Sequence, residues 1–333
     1  MRRLPAEFEK QSFIQVIFPH KNSDWVGYLE DAEQNFVEII NHICLYQDCL
    51  VVCHDSDYVR LKFSPSKRLH FIQIPTNDTW ARDCSSISVY EDEKALLLDF
   101  DFTAWGGKFD AHLDNEMSQK LSHIYDAPMQ KIDFILEGGA IESNAKGTLL
   151  LATECVFNSN RNTLSTQESI TRLKEYFGIT NVLALEHGYL RGDDTDSHID
   201  TLARFADEKT ILYLKCDDKD DEHYHALKKM EVQLQSFKDQ NGDPFVLIPL
   251  PFTQPIYDED ERLPSTYANF LILNEAVLVP VYDDMNDEKA LRVLEKVFKN
   301  RKIIPINCST LIRQHGSLHC VTMQFPQKVK LKT

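Results

Sequence analysis

The chain has 333 residues, enough for one large domain or two average ones, and its 26% charged and 43% hydrophobic content is that of a globular protein, not a disordered one. Its 36 basic and 52 acidic side chains give a formal charge of −16, which argues against nucleic acid as a partner and favours small cations, although the same balance also serves solubility alone. Eight cysteines scattered over so long a chain predict free thiols, and the short apolar stretch near the start carries Gln15 and ends at Pro19-His20, so no secretory signal, no membrane span and a cytoplasmic location are expected.

In chain order, apolar runs with strand character at 13–18, 50–53, 71–74, 95–98, 148–151, 210–214 and 276–280 are interleaved with helical patterns at 24–43, 115–124, 166–177, 221–237 and 287–299. The third pattern is the clearest: Thr166 with Glu168 opens it, Ile170 and Leu173 supply the apolar spacing, and Gly178 stops it. Five helices set among groups of strands predict an α/β fold of five strand-rich units, although no internal self-similarity marks a repeat. No Pro/Gly/Ser-rich linker divides the chain, so a single domain over residues 1–333 is expected. A closed, radial arrangement of such units would let chain-distant polar segments meet at its centre.

The first polar segment, Asp78-Thr79-Trp80-Ala81-Arg82-Asp83, follows the run at 71–74. A tryptophan face attracts positive charge and a carboxylate takes paired N–H donors, so guanidinium is the natural guest; a surface pair of Arg82 with Asp78 or Asp83 is the competing reading. Next, Leu136-Glu137-Gly138-Gly139 ends an apolar run where the backbone can turn tightly, without the spacing of a nucleotide fingerprint. In the segment from Gly192 to Phe205, an extended backbone would put Asp194, Asp196, His198 and Asp200 on one face, where the acids repel each other unless water or a cation intervenes. Neither an EF-hand nor a zinc-type spacing occurs, so no metal site is expected. Last, Cys320 ends Gln314-His315-Gly316-Ser317-Leu318-His319-Cys320. Read as part of a strand, it shares a side with Thr322, and the loop amides before it are expected to keep the thiol accessible and lower its pKa. His315 and His319 are both possible neighbours, and parity does not choose between them.

Taken with Ser265-Thr266-Tyr267-Ala268-Asn269-Phe270, these segments resemble, in order and across nearly the whole chain, the agmatine deiminase family, which groups with the bacterial type of peptidylarginine deiminase. The resemblance implies a five-bladed, pseudo-symmetric α/β propeller (the pentein fold), no metal or organic cofactor, and a homo-oligomer. It also implies hydrolysis of agmatine to N-carbamoylputrescine and ammonia, a step of putrescine and polyamine biosynthesis, through a covalent amidino-cysteine. Carried over by motif, Cys320 is the nucleophile, His198 the general acid and base, and Asp83 and Asp200 the carboxylates that hold the guanidinium. Trp80, Asp78, Glu137, Asp194 and Asn269 are the expected substrate-binding residues. The loop at 314–320 departs from a family pattern that is richer in glycine and contains Asn.

Rival readings are deimination of peptidylarginine or free arginine, and an acidic cation-binding protein without catalysis. Arginine would need a cationic partner for its carboxylate, for which Arg161, Arg191 and Arg204 are the candidates.

Overall fold

Strands that read as unbroken apolar runs must be covered on both faces. Gln11–Ile17, Asp48–Cys53, Thr148–Ala152, Thr210–Lys215 and Ala276–Val281 are accordingly almost entirely buried. The computed structural model, which describes residues 2–332, arranges its strands in five sheets of three or four, with Gln11–Ile17 and Asp48–Cys53 in the same one; a separate two-stranded hairpin joins Tyr257–Asp258 to Glu261–Arg262.

One plan recurs. Ile141–Ser143 runs antiparallel to Thr148–Ala152, the helix Thr166–Phe177 crosses over, and Asn181–Leu185 returns parallel. The same order links Ile87–Glu91, Lys94–Asp101, the helix His112–Leu121 and Met129–Ile135. It links Ala203–Phe205, Thr210–Lys215, the helix Tyr224–Ser236 and Val246–Pro251. It appears again in Leu271–Ile272, Ala276–Val281, the helix Asp287–Val297 and Lys302–Asn307. A parallel neighbour cannot be reached by a tight turn, so each crossover requires its helix. In the remaining sheet the C-terminal strand Thr322–Pro326 pairs antiparallel with Gln11–Ile17, which the helix Leu29–Tyr46 connects to the parallel strand Asp48–Cys53, with Leu69–Gln73 beyond it. The last loop of the chain is thereby brought against the first unit.

The helices bury one stripe each. In Leu29–Tyr46 the stripe is Ala32, Phe36, Ile39, Ile40 and Ile43, each larger side chain contributing about 1.5–3 kcal/mol of transfer free energy. The pattern read at 24–43 begins one turn later than expected, because Asp24–Tyr28 is a 3-10 turn. At Thr166–Phe177 the cap is Ser165, not Thr166: its hydroxyl accepts from the Glu168 amide while the Glu168 side chain accepts from the Ser165 amide. Gly178 ends this helix in the left-handed region (φ +63°), where a Cβ would fall 1.9 Å from the carbonyl oxygen of Arg2.

All eight cysteines are free, as expected. Among the described residues no helix is long and apolar enough to cross a membrane.

Candidate active site

The loops that lead into the short antiparallel strand of each unit bring their polar residues together. Asp83 lies in the helical turn Ala81–Cys84 ahead of Ile87–Glu91, and Glu137 and Gly139 lie ahead of Ile141–Ser143. His198 and Asp200 precede Ala203–Phe205, Asn269 precedes Leu271–Ile272, and Cys320 precedes Thr322–Pro326. Adjacent loops are tied to one another: the Gly139 amide donates to Asp83 Oδ1 (2.9 Å), Asn269 Nδ2 to the Asp200 carbonyl (3.4 Å), the His319 amide to Asn269 Oδ1 (2.8 Å), and the Arg82 amide to the Cys320 carbonyl (3.1 Å). Gly139 marks the convergence, since a Cβ there would lie 2.7 Å from His198 Nδ1, 2.9 Å from Asp83 Oδ1 and 3.1 Å from Asp200 Oδ2.

Above these groups opens a cavity of about 140 Å³. Asp83, His198 and Cys320, all nearly buried, form its deep end, and the half-buried Asp194 and His315 its outer part. Trp80, Trp105 and Phe109 supply apolar walls. Trp80 packs against the loop at 314–320, so close that a Cβ at Gly316 would be 2.1 Å from the ring. Asp78 lines the cavity and also fixes its aromatic wall, with Oδ2 accepting from Trp80 Nε1 (3.1 Å) and Oδ1 from Trp25 Nε1 (3.0 Å). Burial, reinforced by Asp24, pushes the Asp78 carboxyl up to about 6.

The two inner carboxylates are driven apart. Burial raises the Asp83 pKa, with the nearby Asp200 and Glu137 adding to it against His198 and Trp105. Burial also acts on Asp200, but there the hydrogen bond and charge of His319, with His198 and Arg204, outweigh it and hold the carboxyl below its usual range. His198 Nδ1 lies 3.6 Å from Asp83 Oδ1. Burial and the charges of Asp200 and Asp83 push the Cys320 thiol well up, against the expectation of a lowered pKa. A cation seated between those acids reverses the electrostatic part of that penalty and so favours the thiolate. His198 Nε2 and Asp200 Oδ1 are buried without a hydrogen-bond partner, an arrangement that costs stability until a ligand's N–H groups arrive.

Several expectations need correction. Residues 192–200 are not extended: Asp196 and Ser197 take φ of +63° and +69°, and Ile199–Thr201 is a 3-10 turn. The four polar residues therefore do not share a strand face, and Asp196 turns away to Lys108 (2.9 Å) and Arg161 (2.6 Å). Cys320 precedes its strand instead of lying in it. Arg82 pairs with neither Asp78 nor Asp83; it is buried, donating to Gln324 Oε1 (2.6 Å) and facing Glu7 at 3.6 Å. Glu137 is buried against Arg161 (2.8 Å), behind the cavity wall. Asn269, also fully buried, accepts from the His319 and Cys320 amides and lies 3.4 Å from Cys320 Sγ, so it shapes the nucleophile loop. Asp200 is fully buried and does not itself line the cavity, but its Oδ2 lies 3.1 Å from the Gly139 Cβ position that His198 and Asp83, which do line it, also approach.

Sequence reasoning missed Trp105, whose Nε1 donates to Asp83 Oδ2 (3.0 Å) and completes that carboxylate's support. Its signal was a tryptophan ahead of Gly106-Gly107, and its own φ of +55° shows why glycines follow: the chain keeps a positive φ for four residues in succession, Ala104 to Gly107.

Two buried groups have metal-ligand chemistry, Glu137 with Cys155 and His198, and Glu7 with Glu142 and His319. In each a guanidinium already sits among the ligands: Arg161 donates to Glu137, and Arg204 to both Glu7 and Glu142.

The chain matches the profile of the Porphyromonas-type peptidyl-arginine deiminase family over residues 3–326. It is similar to a solved structure from Porphyromonas gingivalis named "Putative Arginine Deiminase", at 44% identity and a TM-score of 0.96 over the whole of both chains. It is also similar to a cysteine-to-serine variant of C. jejuni agmatine deiminase with substrate bound, at 40% identity and a TM-score of 0.92, covering 98% of this chain and 96% of that one. A curated relative from Selenomonas ruminantium, named "Putative agmatine deiminase", is 30% identical over 358 aligned residues, 97% of this chain and 95% of the relative.

Proposed function

The chain belongs to the Porphyromonas-type peptidyl-arginine deiminase family, and from that premise we propose that it is an agmatine deiminase, hydrolysing agmatine to N-carbamoylputrescine and ammonia in putrescine formation. The observation that carries the substrate choice is the cavity lining: among the described residues that form it none is Lys or Arg, whereas Asp24, Asp78, Asp193 and Asp194 all face it. Agmatine has a cation at each end, so acids suit both; arginine would bring its carboxylate among them without a partner. Of the candidate arginines, Arg161 is held by Glu137 and Asp196, and Arg204 by Glu7 and Glu142. Arg191 borders an adjoining open hollow that shares Asp193 and Asp194 with the cavity, and there it faces Asp258, Glu259, Asp260 and Glu261.

In the proposed reaction Asp83 and Asp200 accept from the guanidinium N–H groups and hold its plane so that carbon faces Cys320 Sγ. The thiolate adds to that carbon, His198 gives a proton to the departing nitrogen, and ammonia leaves an amidino-thioether. His198 then takes a proton from water as the water's oxygen adds to the same carbon, and the C–S bond breaks to return the thiolate and release the carbamoyl product. No metal or organic cofactor enters these steps. The whole chain acts as one catalytic domain, and the recurring five-unit plan, closed by the pairing of Thr322–Pro326 with Gln11–Ile17, supports reading it as a five-bladed pentein propeller. A cytoplasmic homo-oligomer completes the proposal.

Ammonia release from agmatine, free arginine and a C-terminal arginine peptide tests the substrate. A kcat/KM for agmatine roughly 100-fold or more above the others is expected, as befits an unpaired buried carboxylate in the losing substrates. The likeness to the P. gingivalis structure makes arginine the second reading, and equal rates on arginine would establish it. No ammonia from any of the three, together with heat stabilisation by agmatine, would leave a binding protein.

Gly139→Ala supplies an independent check on the geometry. The added methyl would meet His198, Asp83 and Asp200 at once, and a displacement of about 1 Å in such groups costs roughly 100-fold in kcat/KM. Circular dichroism should remain that of the wild type; wild-type kinetics would mean that the three groups do not converge on the substrate.

A further inference from the structure

Behind the deep end of the cavity lies a cluster of buried ionisable groups from several units: Glu7, Arg82, Glu142, Arg204 and His319. His319 is 2% exposed and does not line the substrate cavity; it borders a separate small cavity with Glu7, Arg82 and Glu142. Its Nδ1 lies 2.7 Å from Asp200 Oδ2 and its Nε2 lies 2.6 Å from Glu7 Oε2. A neutral imidazole carries one N–H and would meet the second carboxylate lone pair to lone pair, whereas an imidazolium donates to both. Arg204 Nη2, with two hydrogens, lies 3.0 Å from the same Nε2 and 2.8 Å from Glu7 Oε2 and can reach both, but the 2.6 Å contact between Nε2 and Glu7 Oε2 is a hydrogen bond only with a proton between them.

The charged groups facing His319 are Glu7 from the segment before Gln11–Ile17, Asp200 from the turn Ile199–Thr201, and Arg204 from Ala203–Phe205, with Glu142 from Ile141–Ser143 beyond it. Arg82, from Ala81–Cys84, donates its Nε to the His319 carbonyl at 3.4 Å. With three carboxylates and two guanidiniums in the cluster, an imidazolium brings its formal charge to zero.

We infer that His319 is a positioning residue of the deimination: as an imidazolium clamped between Glu7 and Asp200, it keeps Asp200 ionised and occupies its Oδ2, leaving Oδ1 as the free acceptor for the substrate guanidinium. The partnerless state of Asp200 Oδ1 is what this arrangement leaves behind. The lowered pKa values of both Asp200 and Glu7 agree with it: burial opposes ionisation at each, and the His319 hydrogen bond and charge help to outweigh it. The backbone of His319 meanwhile holds the nucleophile loop through Asn269, so one residue links the carboxylate to the thiol beside it.

The inference rests on the deiminase reading, and its test is the pH profile of His319→Asn. Asparagine keeps the backbone link to Asn269 and an N–H donor directed at Asp200, but brings no charge. Without the cation, burial dominates and Asp200 protonates at a higher pH, so the acid limb of kcat/KM moves up by about one pH unit or more, a loss that deepens about tenfold for each unit the pH falls below the variant's limb and vanishes well above it. Agmatine binding to Cys320→Ser with and without His319→Asn should show the same displacement, which a merely structural role would not produce. An equal loss at every pH, or no loss, overturns the proposal.

A second measurement needs no folded variant. Nitrogen-15 NMR of the wild-type chain under the assay conditions should show the His319 ring with both nitrogens protonated; finding a neutral tautomer there also overturns it. Should the wild type prefer arginine to agmatine, the substrate reading fails and this test stands, because the acid limb can be read on any guanidine the protein turns over.

Discussion

Cys320→Ser should release no measurable ammonia from agmatine, a loss on the order of 10⁴-fold or more, while still binding it. The groups proposed to recognise the cation are separate from the sulfur: Asp83 is fixed by Trp105 and the Gly139 amide, and Asp200 by His319. Replacing sulfur by oxygen touches neither, and the hydroxyl can keep the contact with Asn269 Oδ1 that the thiol has at 3.4 Å. What is lost is the anion. The thiol is already pushed well up by burial and by Asp200 and Asp83, and an alkoxide in the same place would lie far beyond the reach of a bound guanidinium. Calorimetric binding of agmatine by the variant, with wild-type affinity within about tenfold, separates loss of chemistry from loss of the site. Substantial turnover by the serine variant would eliminate the covalent route.

The residues to which this chemistry is assigned were carried over from motifs that resemble a known family, and each is a polar residue in a setting that otherwise reads as apolar or tightly turned: Asp83 after a strand, Asp200 beside Ile199, Cys320 before Val321. Their environment was not legible in the sequence. That Asp200 is paired with His319 depends on a turn at 196–197 whose positive φ values no propensity announces, and the expectation of an extended segment put Asp196 on one face with Asp194, His198 and Asp200, whereas it binds Lys108 and Arg161. Glu7, Arg204 and His319 meet only after the C-terminal strand has paired with Gln11–Ile17, a long-range event without a local signal. The fold shows the same division. Central strands such as Thr148–Ala152 are buried on both faces and read as unbroken apolar runs. Outer strands such as Met129–Ile135 expose Gln130, Lys131 and Asp133, and so look like loops until they are paired. Helices survive best, since the stripe and caps of Thr166–Phe177 are properties of consecutive residues.

His198→Asn is expected to lower kcat/KM by roughly 10³-fold, within the range by which a positioned acid–base group accelerates proton transfer. The residue opens the 3-10 turn Ile199–Thr201, where its carbonyl accepts from Thr201 Oγ1 at 2.8 Å, so its backbone is held independently of the ring. Asparagine can retain that backbone and a polar group near Asp83, which leaves substrate binding within about tenfold and places the defect in the chemical steps. In the proposed reaction two steps use the same ring: proton delivery to the departing ammonia and removal of a proton from the attacking water. The orphaned Nε2 is the atom free to serve them, because Nδ1 faces Asp83 Oδ1. If both steps need it, intact-mass measurement during turnover should find slow formation of the amidino-cysteine and, once formed, slow decay. A variant that forms the adduct at the wild-type rate and only fails to hydrolyse it would confine His198 to the second step, and one that retains more than about a tenth of wild-type kcat/KM would remove it from the acid–base role altogether.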